Sequence, residues 1–137
     1  MLTLNLKTFN MKITCRENCD NAPKKLLLKE FNISFGKGDV QNILSYLAAN
    51  IVWDMVGDKV IKGKDEVEKE LEAMKEYTAT EINIDHIITH GKIAACNGNY
   101  KMGSGSSYGF CDVYEFDNHS KIAKIRRMTS YGIALKP

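Results

Sequence analysis

The stretch Phe31–Gly63, FNISFGKGDVQNILSYLAANIVWDMVGDKVIKG, decides how this chain is read. Its first residues finish a helix that begins after Pro23. Leu27, Leu28, Phe31 and Phe35 recur there at helical spacing, with Lys and Glu between them. Gly36 and Gly38 stop that helix, and Asp39 is placed to cap the next, whose inner face is Val40, Ile43, Leu44 and Leu47. Ile51 to Val56 is β-branched and aromatic, which spells a strand. Gly57-Asp58 turns the chain into a short return strand over 59–62. Gly63 then opens an amphipathic helix that runs to Tyr77, with Val67, Leu71 and Met74 as its apolar stripe.

Downstream the pattern changes to strands, roughly over 80–89, 92–102, 107–116 and 121–133. They are separated by His90-Gly91, Gly103-Ser104-Gly105-Ser106 and Asp117-Asn118-His119-Ser120. Helices first and antiparallel strands after is an α+β order, with three helices laid on one face of a curved sheet. Residues 23–137 form a single domain on this reading. Residues 1–22 are an N-terminal arm whose loose alternation of Leu2, Leu4 and Leu6 permits an edge strand or a disordered segment.

Composition narrows the function classes. The 137 residues carry 19 Lys+Arg against 17 Asp+Glu, a net charge of +2. That is too little for a domain devoted to neutralising phosphates, so no nucleic-acid partner is expected. The basic concentration Lys121, Lys124, Arg126 and Arg127 reads as a solvated strand face. No apolar run is long enough to span a bilayer and no signal-peptide core opens the chain, so no membrane partner and a cytoplasmic location are expected. Cys15 and Cys19 flank three residues, a spacing that fits neither a zinc knuckle nor a Cys-x-x-Cys redox motif. Cys96 and Cys111 lie in strands, where a thiol behaves as a small hydrophobe. Gly103–Ser106 joins two strands, whereas a dinucleotide fingerprint joins a strand to a helix. Neither metal nor cofactor is expected.

Two carboxylates stand out. Strand alternation puts Val52, Asp54 and Val56 on one face and Ile51, Trp53 and Met55 on the other. Likewise Tyr108, Phe110, Asp112, Tyr114 and Phe116 share a face. Each row holds one aspartate among apolar or aromatic neighbours, where a bare charge is costly and a displaced pKa is expected. The bland reading is that either accepts bonds from backbone amides or pairs with Arg126 or Arg127 on the last strand. His86 sits in the row Ile82, Ile84, His86, Ile88, where it is either a packed residue or a secondary acid–base group. Trp53, opposite Asp54, reads as a packing residue.

The order helix, Gly38-Asp39, helix, strand Trp53-Asp54-Met55-Val56-Gly57, then Gly63-Lys64 opening a helix resembles the NTF2-like cone fold over residues 24–134. That superfamily includes ketosteroid isomerase and the SnoaL-like polyketide cyclases. The resemblance implies a pocket for a small apolar ligand. In ketosteroid isomerase the base is the Asp of Asp-Pro-Val-Gly, matched here by Asp54-Met55-Val56-Gly57. Its second catalytic Asp, kept protonated to donate to the enolate oxygen, opens a segment matched by Asp112-Val113-Tyr114-Glu115-Phe116. SnoaL-like sites often pair a His with an Asp, which keeps His86 in view. The chain departs from the isomerase at its helix-one tyrosine: seven residues before Gly38 stands Phe31. Losing one oxyanion donor typically costs about 2.7–4 kcal/mol of transition-state stabilisation. Another hydroxyl, from Tyr46, Tyr100 or Tyr131, could stand in.

The expectation is therefore a shared cavity that both Asp54 and Asp112 face, with His86 in reserve. Its lining would be Phe31, Phe35, Val52, Val56, Phe110 and Tyr114. Two carboxyl groups in one apolar cavity cannot both ionise cheaply, so one would act as base and the other as donor. The alternatives are non-catalytic binding of a hydrophobic ligand, or an interaction module that uses the outer face of the sheet. Apolar residues on both faces of the long strands point to a homodimer through the open sheet face.

Overall fold

In the computed structural model residues 11–137 are described, and the Leu2, Leu4, Leu6 alternation lies outside them. Lys12–Cys15 forms strand β1 on a sheet edge. Helix α1 (Pro23–Lys37) starts on Pro23, whose missing N–H costs nothing in a first turn. It ends at Gly38, with φ +69°, whose N–H donates to Phe35 O at 3.1 Å. A Cβ there would also lie 2.6 Å from Lys75 O, so conformation and space both demand glycine. Asp39 caps α2 (Val40–Ser45) by accepting from Asn42 N at 3.2 Å. The helix is shorter than its apolar spacing suggests. Tyr46 O accepts from Ile125 N at 2.9 Å, which draws Leu47 into strand β2 (Leu47–Met55).

Strand β3 (Lys59–Lys62) pairs back on β2, and α3 (Lys64–Met74) follows with Asp65 and Glu66 in its first turn, favourable to the helix dipole. Four long strands complete the chain: β4 (Ala79–His90), β5 (Ile93–Met102), β6 (Ser107–Phe116) and β7 (Ile125–Leu135). The last begins four residues beyond Lys121. Residues 117–124 close instead into a loop, in which Lys124 N donates to Asp117 Oδ1 at 3.0 Å and Asp117 N to Lys124 O at 2.9 Å.

The sheet order is β1-β4-β5-β6-β7-β2-β3. Its ladders are antiparallel except for the parallel pairs β1–β4 and β2–β7. The three helices pack on one face of this curved sheet. Leu28 and Phe31 of α1, Ile43 of α2 and Val67 and Leu71 of α3 meet Ile51, Ile82, Ile84, Tyr114, Phe116 and Ile125 of the strands. Phe31 is enclosed in this core, edge-on to Phe35, Tyr46 and Tyr114 at 5.4–6.0 Å between ring centres.

One irregularity bears on the site. Between Ile84↔Gly98 and His86↔Asn97, Asp85 is an extra residue on β4. Such a bulge bends the strand and shifts its alternation by one residue. Ile82 and Ile84 point into the core before it and Ile87 after it, so His86 turns outward. At the same place β5 needs a glycine: a Cβ on Gly98 would lie 1.9 Å from Asn83 O.

Candidate functional site

A cavity of about 290 Å³ opens between the end of α1, the end of α3 and the inner faces of β2, β5, β6 and β7. That volume is near the lower end for small-molecule sites, roughly 300–1,000 Å³. Phe35, Trp53, Tyr100 and Phe110 supply flat walls, and Met74, Met102 and Met128 supply adaptable ones. Phe35 meets Trp53 edge-on at 5.5 Å, and Tyr100 stacks on Phe110 at 4.7 Å. Gly98, between Cys96 and Tyr100 on the inner row of β5, contributes no side chain and so leaves room beside Phe110, its cross-strand partner.

Among the described residues Asp112 is the one charged side chain of this lining, and it is buried. The register sets Ser130 of β7 directly opposite it on one side and Cys96 of β5 on the other. Ser130 hydrogen-bonds the carboxylate, and its Oγ accepts from Trp53 Nε1 at 2.9 Å. On the far side Tyr114 Oη donates to Asp112 Oδ2 at 3.3 Å. Tyr114 Oη in turn accepts from Asn32 Nδ2 at 3.1 Å, and Asn32, buried in α1, is anchored by Leu28 O at 2.9 Å. Burial lifts the Asp112 carboxyl from its ordinary 3.8 to about 6, while the Ser130 and Tyr114 hydrogen bonds pull it the other way. The result is an acid that exchanges its proton near neutrality, inside an apolar cavity.

The other expected site residues are distributed differently. Phe35 and Phe110 line the cavity. Phe31 and Tyr114 lie one layer deeper, and Val52 and Val56 are on the opposite face of β2. Asp54 is on that opposite face too, with Oδ2 3.5 Å from Arg127 Nη2, so the two aspartates do not share a cavity. This is the arginine pairing that the sequence left open. His86 is exposed, its Nδ1 3.1 Å from Asn97 Oδ1. The register places it in the outer row His86–Asn97–Cys111–Tyr131, next to the row that carries Asp54. Trp53, read as packing, lines the cavity. Its row of Ile51, Trp53 and Met55 is the more apolar of the two on β2, a signal that favours the core side.

Cys15 and Cys19 do not line the cavity. The Cys15 and Cys19 thiols both donate toward Glu17 O, at 3.8 and 3.9 Å. Among the described residues no group of three or more His, Cys, Asp or Glu could hold a metal ion. Three of the four basic residues are engaged: Lys124 Nζ donates to Ser45 O at 2.8 Å, Arg126 pairs with Glu115 and Arg127 with Asp54.

A family model for the SnoaL-like domain matches residues 28–125, from the first core leucine of α1 to the start of β7. The chain belongs to the SnoaL-like family. Solved structures agree on the NTF2-like fold. An NTF2-like protein of unknown function from Cytophaga hutchinsonii is 22% identical, with 79% of this chain and 97% of that one covered at a TM-score of 0.62. The epoxide hydrolase/cyclase-like enzyme SalBIII, of pyran ring formation in the polyether salinomycin, is 18% identical over 85% of this chain and 95% of its own, at 0.68. A Shewanella denitrificans protein assigned as a SnoaL-like polyketide cyclase is 14% identical, covering 82% and 91%, at 0.65. At such identities the likeness is one of fold. No curated protein matches the chain. This SnoaL-like chain contains no described helix long and apolar enough to cross a membrane.

Proposed function

We propose that the protein is a small-molecule enzyme in which Asp112 takes a proton from carbon next to a carbonyl and returns it elsewhere on the same neutral, apolar substrate. The observation that carries this reading is the Asp112 carboxyl, enclosed by apolar walls and raised to about 6. General catalysis is most effective when the pKa of the group lies near the working pH, and is worth typically 10²–10⁴-fold. Ser130 and Tyr114 fix the carboxylate from two sides, so little reorganisation is needed when it changes charge. One carboxylate then serves in both directions, in place of the two-aspartate division of labour.

The test uses 1-indanone, a flat ketone with exchangeable α-protons, in deuterium oxide. Trp53 is the only tryptophan of the chain and lines the cavity, so its fluorescence reports occupancy. Wild-type protein should accelerate α-proton exchange, and Asp112→Asn should lose at least 10²-fold of that rate while binding the ketone with similar affinity. Binding without accelerated exchange in the wild type would favour the non-catalytic pocket reading.

We further propose that two copies pair through the sheet face away from the helices. Ile88, Val113, Tyr131 and Ile133 are exposed there, alongside Ala95 and Cys111 in the same rows. Contiguous apolar patches of that kind are rare on monomers.

A further inference from the structure

The cavity's hydrogen-bonding groups are almost all committed. Trp53 Nε1 is engaged by Ser130, Ser130 by Trp53 and Asp112, and Tyr114 by Asn32 and Asp112. Tyr77 and Tyr108 are exposed at the mouth, within reach of water. Tyr100 differs from all of these. It lines the cavity, and its hydroxyl has no hydrogen-bond partner among the described residues. The residue is partly buried and its hydroxyl opens onto the cavity, so an acceptor arriving there can take the hydrogen bond that otherwise goes to water. Burial first, and the neighbouring Asp112 charge second, hold its pKa well above the ordinary value, so it stays a donor at any physiological pH.

The ring is also held. It stacks on Phe110 with an interplanar angle of 27° and is the cross-strand partner of Tyr108. Among the described residues that line the cavity there is no Lys, Arg or His, and the one charge is that of Asp112. An anionic ligand would be repelled and would find no cation to offset its desolvation. A flat neutral ligand can lie against the aromatic walls and present an oxygen to the waiting hydroxyl.

We propose that Tyr100 is the cavity's ligand-binding donor, selecting flat neutral molecules whose carbonyl or ether oxygen accepts its hydrogen bond beside Asp112. This deepens the proton-transfer reading of the same cavity and rests on it for the role of Asp112.

The experiment compares three probes of nearly one shape, 1-indanone, indane and 1-aminoindane, by Trp53 fluorescence on wild type, Tyr100→Phe and Asp112→Asn. Wild type should bind the ketone about 5–10-fold more tightly than the hydrocarbon, the range expected of one hydrogen bond. Tyr100→Phe keeps the stacked ring, so it should erase that preference and leave indane affinity unchanged. Asp112→Asn should retain the preference. The carbonyl stretch of bound indanone should shift to lower frequency in wild type and not in Tyr100→Phe. A wild type with no ketone preference, equal losses for ketone and hydrocarbon in Tyr100→Phe, tightest binding of the amine, or no binding of any probe would overturn the assignment. Intact Tyr100-dependent preference without accelerated α-proton exchange would instead sink the catalytic reading alone. If Tyr100→Phe fails to fold, the carbonyl shift in wild type decides: an unshifted band means that no donor reaches the ligand.

Discussion

Tyr114 Oη donates to Asp112 Oδ2 across 3.3 Å, two residues apart on the inner row of β6, and so ties the cavity's one charge to the core of the protein. The same hydroxyl is held from helix α1 by Asn32. Tyr114→Phe should therefore move the Asp112 titration midpoint upward, because it removes one of the two hydrogen bonds that lower it. Stability should fall by about 1 kcal/mol, since Asn32 keeps its bond to Leu28 O. Carbon-13 NMR titration of the carboxyl and urea unfolding would check both.

The raised Asp112 carboxyl also fixes the sign of a stability effect. A folded value of about 6 above an unfolded value near 3.8 means that the native state binds the extra proton between them. Its contribution is fully present below pH 4 and is lost as pH rises through 6. Asp112→Asn, which cannot ionise, should thus be more stable than wild type at pH 7 by an amount on the order of 3 kcal/mol. The difference should shrink steadily on acidification towards pH 4. Thermal unfolding of both proteins across that range measures it; a difference independent of pH would contradict the burial argument.

Asp54 offers the contrast. Its ion pair with Arg127 is partly solvated on the outer face, and such pairs contribute about 0–1 kcal/mol. Asp54→Asn should alter neither indanone affinity nor α-proton exchange by more than about twofold. A large loss of exchange in that variant would return Asp54 to the mechanism.

Both aspartates have the same local signature, one carboxylate in an apolar row, so their different fates were not legible from alternation alone. Alternation separates two faces without saying which is inner. On β2 the comparison of whole rows does say: Ile51, Trp53 and Met55 outweigh Val52, Asp54 and Val56. His86 was misplaced for another reason, because the bulge at Asp85 breaks the period on which its row was built. Nothing near His86 announces that bulge; the signal is Gly98 on the neighbouring strand, where only glycine fits against Asn83 O. Asn32 and Ser130 escaped notice because each acts through a partner distant in sequence. The helix order, the Gly38-Asp39 break and the strand count were readable since turn chemistry and periodicity are local.

The outer face carries its own expectation. Placing a charge at its centre with Val113→Glu should convert a dimer to a monomer without touching the cavity, since Val113 points away from Asp112. Light scattering at micromolar concentration should give twice the chain mass for wild type and one chain mass for the variant. A monomeric wild type would dismiss the pairing.

The pH dependence of indanone α-proton exchange tests the central role of Asp112 most directly. As the base, Asp112 must be ionised to act, so the rate should rise with pH as one titration centred at about 6 and level off above pH 7. The same profile should be absent from Asp112→Asn. A rate that ignores pH between 5 and 7, or a titrating rate that survives in Asp112→Asn, would contradict the account.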